Sequence, residues 1–466
     1  MQNHQVIIIG GGPGGYETAI RLNQYGIDCA VVEAQRVGGV CLNQGCIPTK
    51  ALVKSAELWH EMQEASAFGL PTADLKLDYK NVVERKDKVV DQLVGGIEFL
   101  FRKRNIPIYN HKATSINKEG DLWKVSLAQA DAITAPYVII ATGSESRSLP
   151  GIKIDEVDVL SSTGMLQMQE LPASLAVIGG GVIGCEFASI MNSFGVKVYI
   201  IEFLPRIVAL EDEELSKRLG MALKKSGIKI STGVGLTSIN KTEAGLELTL
   251  SNDSTLTVDK VLMSVGRSPV MNIDWQQGAP DMERGAIVID DYMHSSLDGV
   301  YAIGDVTNKL ALAHTASKQG MIAAEHIHCR ILGKQCDIPA LEYANIPRCT
   351  FTSLELASVG LSEADAKERF GEIIVGKFPF TASGKALAMG NANGLVKTIA
   401  RADTQELVGM HILGPNAAEL IAQGAILIAQ GAKAEAAEAI TFAHPTLSEA
   451  IKESIEDIRK LSIHKI

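Results

Sequence analysis

Cysteine and aromatic residues are scarce in this sequence, and no long apolar run interrupts it. Seven cysteines among 466 residues are too few for a disulfide scaffold. The longest weakly polar stretch, AELIAQGAILIAQGAKAEAAEAI, contains Glu419, Gln423 and Gln430, which favours a packed helix over a membrane span. The amino-terminal MQNHQVIIIGGG lacks the basic region and cleavage site of a secretion signal. We therefore expect a reducing compartment, the cytoplasm, where close cysteines are more typical of catalysis or metal binding than of structure.

The sequence also lacks an excess of basic charge. Lys and Arg number 44 against 54 Asp and Glu, so the net charge is −10 and the pI about 5.6. Because no run of Lys and Arg forms a local basic patch, we expect no nucleic-acid partner. The length suffices for about three domains at ~150 residues each, so sizeable cores can be buried.

Glycine is abundant, with 43 residues, and its first cluster lies near the start of the chain. A strand-like run, Gln5-Val-Ile-Ile-Ile9, leads into GGGPGG, then a helix-like stretch, then a second strand that ends on an acid. In this order, glycines let backbone N–H groups approach a pyrophosphate at a helix N-terminus, and the acid binds an adenosine ribose. We call residues 10–33 the first cradle and expect its dinucleotide contacts to be Gly10, Gly12, Gly14, Gly15 and Glu33.

The pattern recurs as a second cradle, residues 179–202. Leu175–Ile178 reads as a strand, GGGVIG follows, and the strand after the helix ends on Glu202. The first glycine and the acid are 23 residues apart in both copies (10 to 33 and 179 to 202). Because a carboxylate suits a free 2′-hydroxyl and repels a 2′-phosphate, Glu202 predicts NAD rather than NADP. The glycines expected to contact NAD are Gly179, Gly181 and Gly184.

Two cysteines lie five positions apart in Gly39-Val-Cys-Leu-Asn-Gln-Gly-Cys-Ile-Pro-Thr-Lys50. Taken alone, they could be a metal clip, a structural staple, two inert thiols or a redox pair. A metal clip needs two further ligands, and no Cys/His pair follows at zinc-finger spacing, so we expect no metal. A staple would close a loop too small to stabilise the fold much.

The motifs together resemble the flavoprotein disulfide reductases, and within them the dihydrolipoamide dehydrogenase family. They follow the family order along essentially the whole chain: GGGPGG, GGVCLNQGCIPTK, ATGS at 141–144, GGGVIGCE at 179–186, VGR at 265–267, GVYAIGDV at 299–306 and HPTLSE at 444–449. The resemblance implies FAD and NAD as cofactors and makes Cys41 and Cys46 a redox-active disulfide.

The resemblance also implies roles for the reacting groups. Cys41 would exchange with the substrate, and Cys46 would lie against the flavin as a thiolate. Because both lie near the start of a helix, we expect lowered pKa values for these cysteines. His444 would be the base and Glu449 would fix its tautomer. Lys50 and Glu186 would lie beside the flavin and the nicotinamide.

Further cofactor contacts and partners follow from the same resemblance. Dihydrolipoamide would be presented on a lipoyl domain or lipoyl carrier protein, with the E2 core of 2-oxo acid dehydrogenase complexes as a partner. The enzyme would be a homodimer in which His444 reaches the disulfide of the opposite subunit, and no membrane partner is expected. The contacts expected along FAD are Ala113, Thr142, Gly143, Asp305 and Ala313, and those along NAD are Val234 and Gly266.

The expected fold class is α/β, with two Rossmann-like dinucleotide-binding domains and an α+β carboxy-terminal dimerisation domain. We predict an FAD domain over 1–148, an NAD domain over 149–270, a central domain completing the FAD site over 271–348, and an interface domain over 349–466.

Two alternatives compete with oxidation of dihydrolipoamide. One is an NAD(P)H-dependent reductase of another disulfide, such as glutathione, which Glu202 opposes because that branch usually takes NADPH. The other is a non-catalytic flavoprotein that scaffolds a multienzyme complex.

Many relatives carry histidine where this chain has Phe442, which changes the polarity beside the expected base. The remaining thiols are expected to be buried or inert: Cys29, Cys185, Cys336 and Cys349. In HIHCR, His326, His328 and Cys329 do not share one helix face, so we interpret them as incidental.

Overall fold

The computed structural model describes residues 2–71 and 73–465. The chain divides into two compact units, each assembled from three separate segments. The first unit comprises the described residues of Met1–Ala51, Lys80–Arg147 and Gly266–Tyr343, and the second those of Leu52–Tyr79, Ser148–Val265 and Ala344–Ile466.

The strands are numbered in chain order. They are β1 (Gln2–Asn3), β2 (Val6–Ile9), β3 (Cys29–Val32), β4 (Ile108–Tyr109), β5 (Ala113–Glu119), β6 (Leu122–Leu127), β7 (Ala130–Ala135), β8 (Tyr137–Ile140), β9 (Ser144–Ser146), β10 (Val159–Leu160), β11 (Ser174–Ile178), β12 (Lys197–Glu202), β13 (Lys229–Thr232), β14 (Leu236–Thr242), β15 (Gly245–Leu250), β16 (Thr255–Val258), β17 (Lys260–Met263), β18 (Arg267–Pro269), β19 (Asp274–Trp275), β20 (Met282–Glu283), β21 (Ala286–Ile287), β22 (Val300–Ala302), β23 (Arg348–Thr350), β24 (Glu355–Gly360), β25 (Ile373–Pro379), β26 (Leu395–Arg401) and β27 (Leu407–Gly414).

The α-helices are numbered in the same way. They are α1 (Pro13–Gln24), α2 (Gly39–Gln44), α3 (Cys46–Glu64), α4 (Tyr79–Arg104), α5 (Ser162–Gln167), α6 (Val182–Ser193), α7 (Glu213–Lys225), α8 (Ala313–Ile331), α9 (Glu363–Phe370), α10 (Gly384–Ala388), α11 (Ala417–Ala429), α12 (Ala434–Glu438) and α13 (Glu449–Glu456). Short 3₁₀ turns cover Ala65–Phe68, Gly304–Thr307, Tyr343–Asn345, Phe380–Ala382 and Asp457–Arg459.

A parallel sheet in the order β22-β8-β2-β3-β4 forms the centre of the first unit. Strands β2 and β3 are apolar and buried along their whole length, as expected for a parallel sheet covered on both faces. Ile9 pairs with Val32, so the two strands end at the same edge. The residues that follow them, Gly10 and Glu33, are thereby brought to one crevice.

The rest of the first unit supports this sheet. A second sheet has the order β1-β7-β6-β5-β19, and α8 packs against α1. The short strands β9 and β18 pair antiparallel, and so do β20 and β21. The β9–β18 pair brings together the two segments that contain the ATGS and VGR motifs.

The second unit repeats the parallel arrangement in the order β10-β17-β11-β12-β13 and adds the antiparallel sheet β14-β15-β16. Its carboxy-terminal part is an antiparallel sheet in the order β23-β24-β27-β26-β25. Helix α11 packs on β24 and β27, and α13 packs on β25 and β26. Helix α11 is the beginning of the weakly polar stretch, which confirms its prediction as a packed helix.

The predicted α/β fold class is confirmed by two parallel sheets, each with a glycine-rich turn after one of its strands, and by the α+β carboxy-terminal part. The four predicted domain boundaries stay a prediction. Among residues 2–71 and 73–465, no helix combines the length and the apolarity that crossing a bilayer requires.

Candidate active site

The first cradle requires glycine at its turn between β2 and α1. Gly10 has φ +111°, and a Cβ added there would lie 2.2 Å from the carbonyl oxygen of Ala141. A Cβ on Gly15 would lie 1.9 Å from the carbonyl oxygen of Gly10. Any other residue would push the turn away from β8 or separate α1 from the turn.

Gly12 is the N-cap of α1, and its position has room for a Cβ. Its φ of −68° is available to any residue, and the nearest atom to an added Cβ is 3.9 Å away. Pro13 follows at the first helical position, where its missing N–H costs no hydrogen bond. Gly14, by contrast, packs against Ala316 of α8. The cradle therefore combines tight packing behind the turn with an unobstructed helix N-terminus in front, where an anion is favoured.

Glu33 stabilises the turn of the first cradle through hydrogen bonds. Its carboxylate is buried and accepts the backbone N–H of Gly11 at 2.7 Å and that of Gln35 at 2.8 Å. The acid that the sequence assigned to ribose binding therefore also holds the glycine turn in place.

The second cradle repeats the close contacts of the first and last glycines of the turn. Gly179 has φ +104°, and its added Cβ would lie 2.5 Å from the carbonyl oxygen of Ser264. A Cβ on Gly184 would lie 2.0 Å from the carbonyl oxygen of Gly179, whereas one on Gly181, the N-cap of α6, would meet no atom within 4 Å. The duplication seen in the sequence is thus a duplication of packing.

Glu202 makes the same kind of contacts in the second cradle as Glu33 makes in the first. It accepts the N–H of Gly180 at 2.5 Å and that of Leu204 at 2.6 Å. Val234, predicted to lie along NAD, donates its N–H to the carbonyl oxygen of Glu202 at 3.0 Å. The structure therefore brings Glu202 and Val234 together at the end of β12.

Both cradles fit a dinucleotide. FAD and NAD share a pyrophosphate and an adenosine ribose, and each cradle presents an open helix N-terminus together with a buried carboxylate. Among the described residues, an added Cβ would lie 3.9 Å from the Cα of Gly39 at Gly12 and would meet no atom within 4 Å at Gly181.

Three motif residues of the first unit converge beside the first cradle. Ser144 donates its hydroxyl to Oδ2 of Asp305 at 2.5 Å, and Nε of Arg267 donates to the Ser144 hydroxyl at 2.7 Å. Burial lowers the pKa of the Arg267 guanidinium, while Asp305 opposes that shift. The sequence singled out Asp305 but gave Ser144 and Arg267 no role, although both stand inside quoted motifs.

The other predicted FAD and NAD contacts lie at ends of elements. Ala113 begins β5, Ala313 begins α8, and Gly266, with φ +116°, directly precedes β18. Thr142 and Gly143 follow β8; the Thr142 hydroxyl donates to the carbonyl oxygen of Val270 at 2.6 Å. Positions at the ends of strands and helices suit ligand contact because their backbone groups are incompletely used by secondary structure.

The cysteine segment is packed directly on the first cradle. Gly38 donates its N–H to the carbonyl oxygen of Gly11 at 2.8 Å, and a Cβ on Gly39 would lie 2.6 Å from the Cα of Gly12. Cys41 lies in α2, which ends at Gln44, and Cys46 is the first residue of α3. The backbone thus fixes both sulfurs close to the open end of the cradle.

The prediction of a lowered pKa is wrong for Cys41. Both cysteines are thiols in this structure. A hydrogen bond to Cys46 and burial raise the pKa of Cys41, although the charge of Lys50 opposes the shift. The hydrogen bond between Cys41 and Cys46 favours the protonated form of Cys41, and the argument from helix ends did not consider this contact.

Lys50 and Glu186 belong to different units. Lys50 is half-buried one helical turn after Cys46 in α3. Glu186 is buried in α6 and accepts the N–H of Phe351 at 3.0 Å. Their pairing beside the flavin therefore stays a prediction.

His444 and Glu449 form a hydrogen-bonded pair in the second unit. Nδ1 of His444 is 2.8 Å from Oε1 of Glu449, and the other carboxylate oxygen accepts the N–H of Thr446 at 2.8 Å. Burial raises the pKa of Glu449, but the hydrogen bonds from Thr446 and His444 outweigh it, so the pKa lies below its usual range. The imidazole is 79% exposed, and a neutral ring that donates through Nδ1 presents the lone pair of Nε2.

A second histidine–carboxylate pair uses the same helix and was missed from the sequence. Nδ1 of His464 is 2.7 Å from Oε1 of Glu453, one turn after Glu449 in α13. Glu453 also accepts from the Ser462 hydroxyl and the N–H of Ile463. Because Glu453 is buried and saturated by these local contacts, it anchors the carboxy-terminal segment.

Comparison with known proteins decides the family. A family model described as "Pyridine nucleotide-disulphide oxidoreductase" matches residues 4–320, and one described as that family's dimerisation domain matches residues 346–455. The chain belongs to the pyridine nucleotide-disulphide oxidoreductases. This membership confirms the predicted enzyme class, an oxidoreductase that uses FAD and NAD. The dimerisation-domain match supports the predicted homodimer.

Individual relatives extend over the whole length of this oxidoreductase. It is 38% identical to the dihydrolipoyl dehydrogenase of Bacillus subtilis over 465 residues, covering 97% of each chain. It is 39% identical to the enzyme of that name from Thermus scotoductus, covering 100% of this chain and 99% of the relative. The crystal structure of LpdA from Mycobacterium tuberculosis matches with a TM-score of 0.87 at 23% identity, covering 98% of this chain and 99% of LpdA, and shows the same fold.

Proposed function

We propose that this oxidoreductase converts dihydrolipoamide to lipoamide and reduces NAD⁺ to NADH. The observation that carries the proposal is the attachment of the Cys41–Cys46 segment to the first cradle, through Gly38 to Gly11 and Gly39 to Gly12. A pair of thiols held at a dinucleotide cradle suits two-electron transfer from a dithiol. The names of the Bacillus and Thermus relatives support the choice of substrate.

Two cofactors would occupy the two cradles. When bound, FAD would supply the two-electron acceptor between the cysteine pair and the nicotinamide. The chain's residues that would hold FAD are Gly10, Gly12, Gly14, Gly15, Glu33, Lys50, Ala113, Thr142, Gly143, Asp305 and Ala313. Those that would hold NAD are Gly179, Gly181, Gly184, Glu186, Glu202, Val234 and Gly266.

The thiol–disulfide exchange uses the chain's own sulfurs. In the oxidised pair, one thiolate of dihydrolipoamide attacks Sγ of Cys41; the Cys41–Cys46 bond breaks and a mixed disulfide forms. The second substrate thiolate attacks its neighbouring sulfur in that mixed disulfide, which closes lipoamide and releases Cys41. Two electrons reach the cysteine pair, and the two substrate protons must be removed by a base.

His444 is the proposed base. Its hydrogen bond to Glu449 orients the ring, and the negative carboxylate stabilises the imidazolium formed when the ring accepts a proton. We place His444 at the disulfide of the partner subunit, in keeping with the dimerisation-domain match. Glu449 acts through the ring and is a positioning residue.

The remaining assignments complete the proposal. The predicted boundaries, 1–148, 149–270, 271–348 and 349–466, describe FAD, NAD, central and interface domains. The dithiol would arrive on a lipoyl domain or lipoyl carrier protein, with the E2 core of a 2-oxo acid dehydrogenase complex as the binding partner. The cytoplasmic location stays a prediction from cysteine usage.

NADH formation from dihydrolipoamide tests the proposal directly. FAD-loaded protein should reduce NAD⁺ rapidly and NADP⁺ far more slowly, because Glu202 repels a 2′-phosphate. Activity restricted to glutathione and NADP(H) would replace the proposal with the other disulfide substrate. A protein that contains FAD but is inactive with both substrates would favour the alternative of a non-catalytic scaffold.

The two histidine–carboxylate pairs of α13 provide a matched test of the base. His444→Ala should lower kcat by about 10²- to 10⁴-fold, the usual contribution of a general base. His464→Ala removes another exposed histidine that is paired with a carboxylate of α13, and it should leave kcat nearly unchanged. Equal losses in both variants would assign the effect to the fold rather than to proton transfer.

Subunit mixing tests where His444 acts. Cys41→Ser and His444→Ala homodimers are each expected to be inactive, but mixed dimers would contain one intact combination of Cys41 and His444. Recovery of activity after verified subunit exchange supports a site shared between subunits. Absence of recovery would assign the site to one chain.

A further inference from the structure

Two further cysteines come together at the carboxy-terminal end of α8. Cys329 lies in the last turn of this helix, and Gly333, with φ +62°, reverses the chain just after it. The N–H of Lys334 donates to the carbonyl oxygen of Cys329 at 2.9 Å, and that of Gly333 donates to the carbonyl oxygen of Arg330 at 3.1 Å. These bonds form a Schellman motif, which turns the following segment back along the helix.

The reversed segment places Cys336 over the face of α8 that contains Cys329. Sγ of Cys336 lies 3.8 Å from the carbonyl oxygen of Glu325, the residue one turn before Cys329. Residues four apart share a helix face, and the Cys336 thiol hydrogen-bonds the Cys329 side chain. Both cysteines are half-exposed. Of the four thiols expected to be buried or inert, Cys29 and Cys185 are buried, whereas Cys336 and Cys349 are partly exposed.

We propose that Cys329 and Cys336 are a second dithiol, which a hydroperoxide converts to an intrachain disulfide. The Cys329 thiolate attacks the outer peroxide oxygen, which breaks the O–O bond, forms a sulfenic acid and releases the alcohol, or water from hydrogen peroxide. The Cys336 sulfur then attacks the sulfenic sulfur, forms the S–S bond and expels water. The dithiol loses two electrons and two protons, and the peroxide gains them.

The surroundings of the pair assign the two roles. Burial, the hydrogen bond to Cys329 and the nearby charges of Glu325 and Asp337 raise the pKa of Cys336 to about 12. The Cys336 thiol also donates to the carbonyl oxygen of Glu325, so we assign the resolving role to Cys336 and the attacking role to Cys329. This modification site does not depend on the proposed function, because neither cysteine belongs to the cradles or to the Cys41–Cys46 segment.

Trypsin makes the disulfide directly measurable, because Arg330 and Lys334 both lie between the two cysteines. FAD-loaded protein with Cys41→Ser and Cys46→Ser, which removes exchange with the first pair, is treated with hydrogen peroxide, alkylated and digested. The expected product is the peptide 319–330 linked to the peptide 335–348. Two alkylatable thiols per chain should be lost and restored by dithiothreitol.

Single variants and isotope labelling decide the interpretation. Cys336→Ser should abolish the linked product and leave Cys329 to oxidise further to the sulfinic acid. A mixture of labelled and unlabelled chains should give only unmixed linked peptides, because the proposed bond lies within one chain. Mixed products, oxidation of both cysteines without a link, or alkylation of both after peroxide treatment would each overturn the proposal. The same measurement on the wild-type chain shows whether the link forms beside an intact first pair.

Discussion

Lys397 is the cation of a buried charge cluster whose loss should be costly. Its side chain is only 2% exposed on β26, and Nζ lies 2.9 and 3.0 Å from the two oxygens of Asp212, which is also 2% exposed. Glu363 contributes a third carboxylate oxygen at 2.7 Å and Glu214 a fourth at 3.5 Å. We predict that Lys397→Met severely destabilises the second unit.

The magnitude follows from what the substitution leaves behind. Methionine fills most of the lysine volume, so the cavity cost is small, but the buried carboxylate of Asp212 loses its cation. Removing one partner of a buried ion pair costs about 3–5 kcal/mol. At about 2–4 °C per kcal/mol for a domain of ~200 residues, the melting temperature should fall by about 6–20 °C.

The loss of stability in Lys397→Met should depend on pH in a defined direction. Hydrogen bonds from Lys367 and then Lys397 lower the pKa of Glu363 to about 2. Burial raises the pKa of Asp212, but the bond from Lys397 contributes to a net lowering. Because these folded-state values lie below the unfolded values near ~4, the stabilisation is complete above about pH 5 and is lost as pH falls towards 2. The gap between wild type and Lys397→Met should therefore narrow over that acidic range.

Thermal unfolding of the FAD-loaded protein, followed by circular dichroism between pH 8 and pH 3, measures the gap. Lys377→Met is the matched control, since Lys377 is 38% exposed and its Nζ lies 2.7 Å from Oε2 of the same Glu214. An exposed pair of this kind contributes about 0–1 kcal/mol. Adding Asp212→Asn to Lys397→Met should restore part of the loss, because the uncompensated charge disappears while the amide oxygen can still cap α7. Equal stability of the two lysine variants at neutral pH, or a gap independent of pH, would refute the reasoning.

Three further predictions concern the cradles and the residues beside them. Glu202→Gln should reduce the preference for NAD⁺ over NADP⁺ about ten- to a hundredfold, which corresponds to the free energy of a hydrogen bond to a charged group. The preference is the ratio of kcat/KM with the two nucleotides, and an unchanged ratio would contradict the prediction. Ser144→Ala should weaken FAD retention about tenfold or more in fluorescence titrations, whereas Ser146→Ala on the same strand should not. Gly10→Ala should yield protein without bound flavin. Gly26→Ala should bind flavin normally, because Gly26 also has a positive φ but an added Cβ there would meet no atom within 4 Å. Bound flavin in Gly10→Ala would show that the turn can adjust.

Local patterns predicted the elements that build the site. The repeated strand, glycine turn and helix were visible because each is encoded within about 25 residues, and the helix start after Gly12 needs no distant partner. The resemblance to the family implied the pair of His444 and Glu449, which is also a short-range contact because the two residues are five positions apart and meet at the beginning of α13. Short-range geometry can be predicted when a few dihedral angles determine it.

Contacts between distant segments were not predictable in this way. Ser144, Arg267 and Asp305 meet only because β9 pairs with β18 and the turn after β22 is near them. Lys397 reads in the sequence as an ordinary strand lysine, the kind of residue normally found in solvent. The raised pKa of Cys41 likewise depends on a sulfur–sulfur contact that a general argument from helix ends omits.

The two cradle acids illustrate how a residue can satisfy both a structural and a binding role. Glu33 and Glu202 each accept two backbone N–H groups, one on each carboxylate oxygen. One N–H belongs to the glycine turn and the other to the residue two positions after the acid. An ionised carboxylate offers about four acceptor positions, so two remain for the hydroxyls of a ribose. This explains why the acid stands at the same distance from the first glycine in both copies: the carboxylate must reach the turn as well as the ligand. For the same reason, replacing Glu202 by a basic residue would not suffice to change the nucleotide preference from NAD to NADP. The new side chain could not accept the N–H groups of Gly180 and Leu204. The cradle would then lose both the hydrogen bonds that hold its turn and the negative charge.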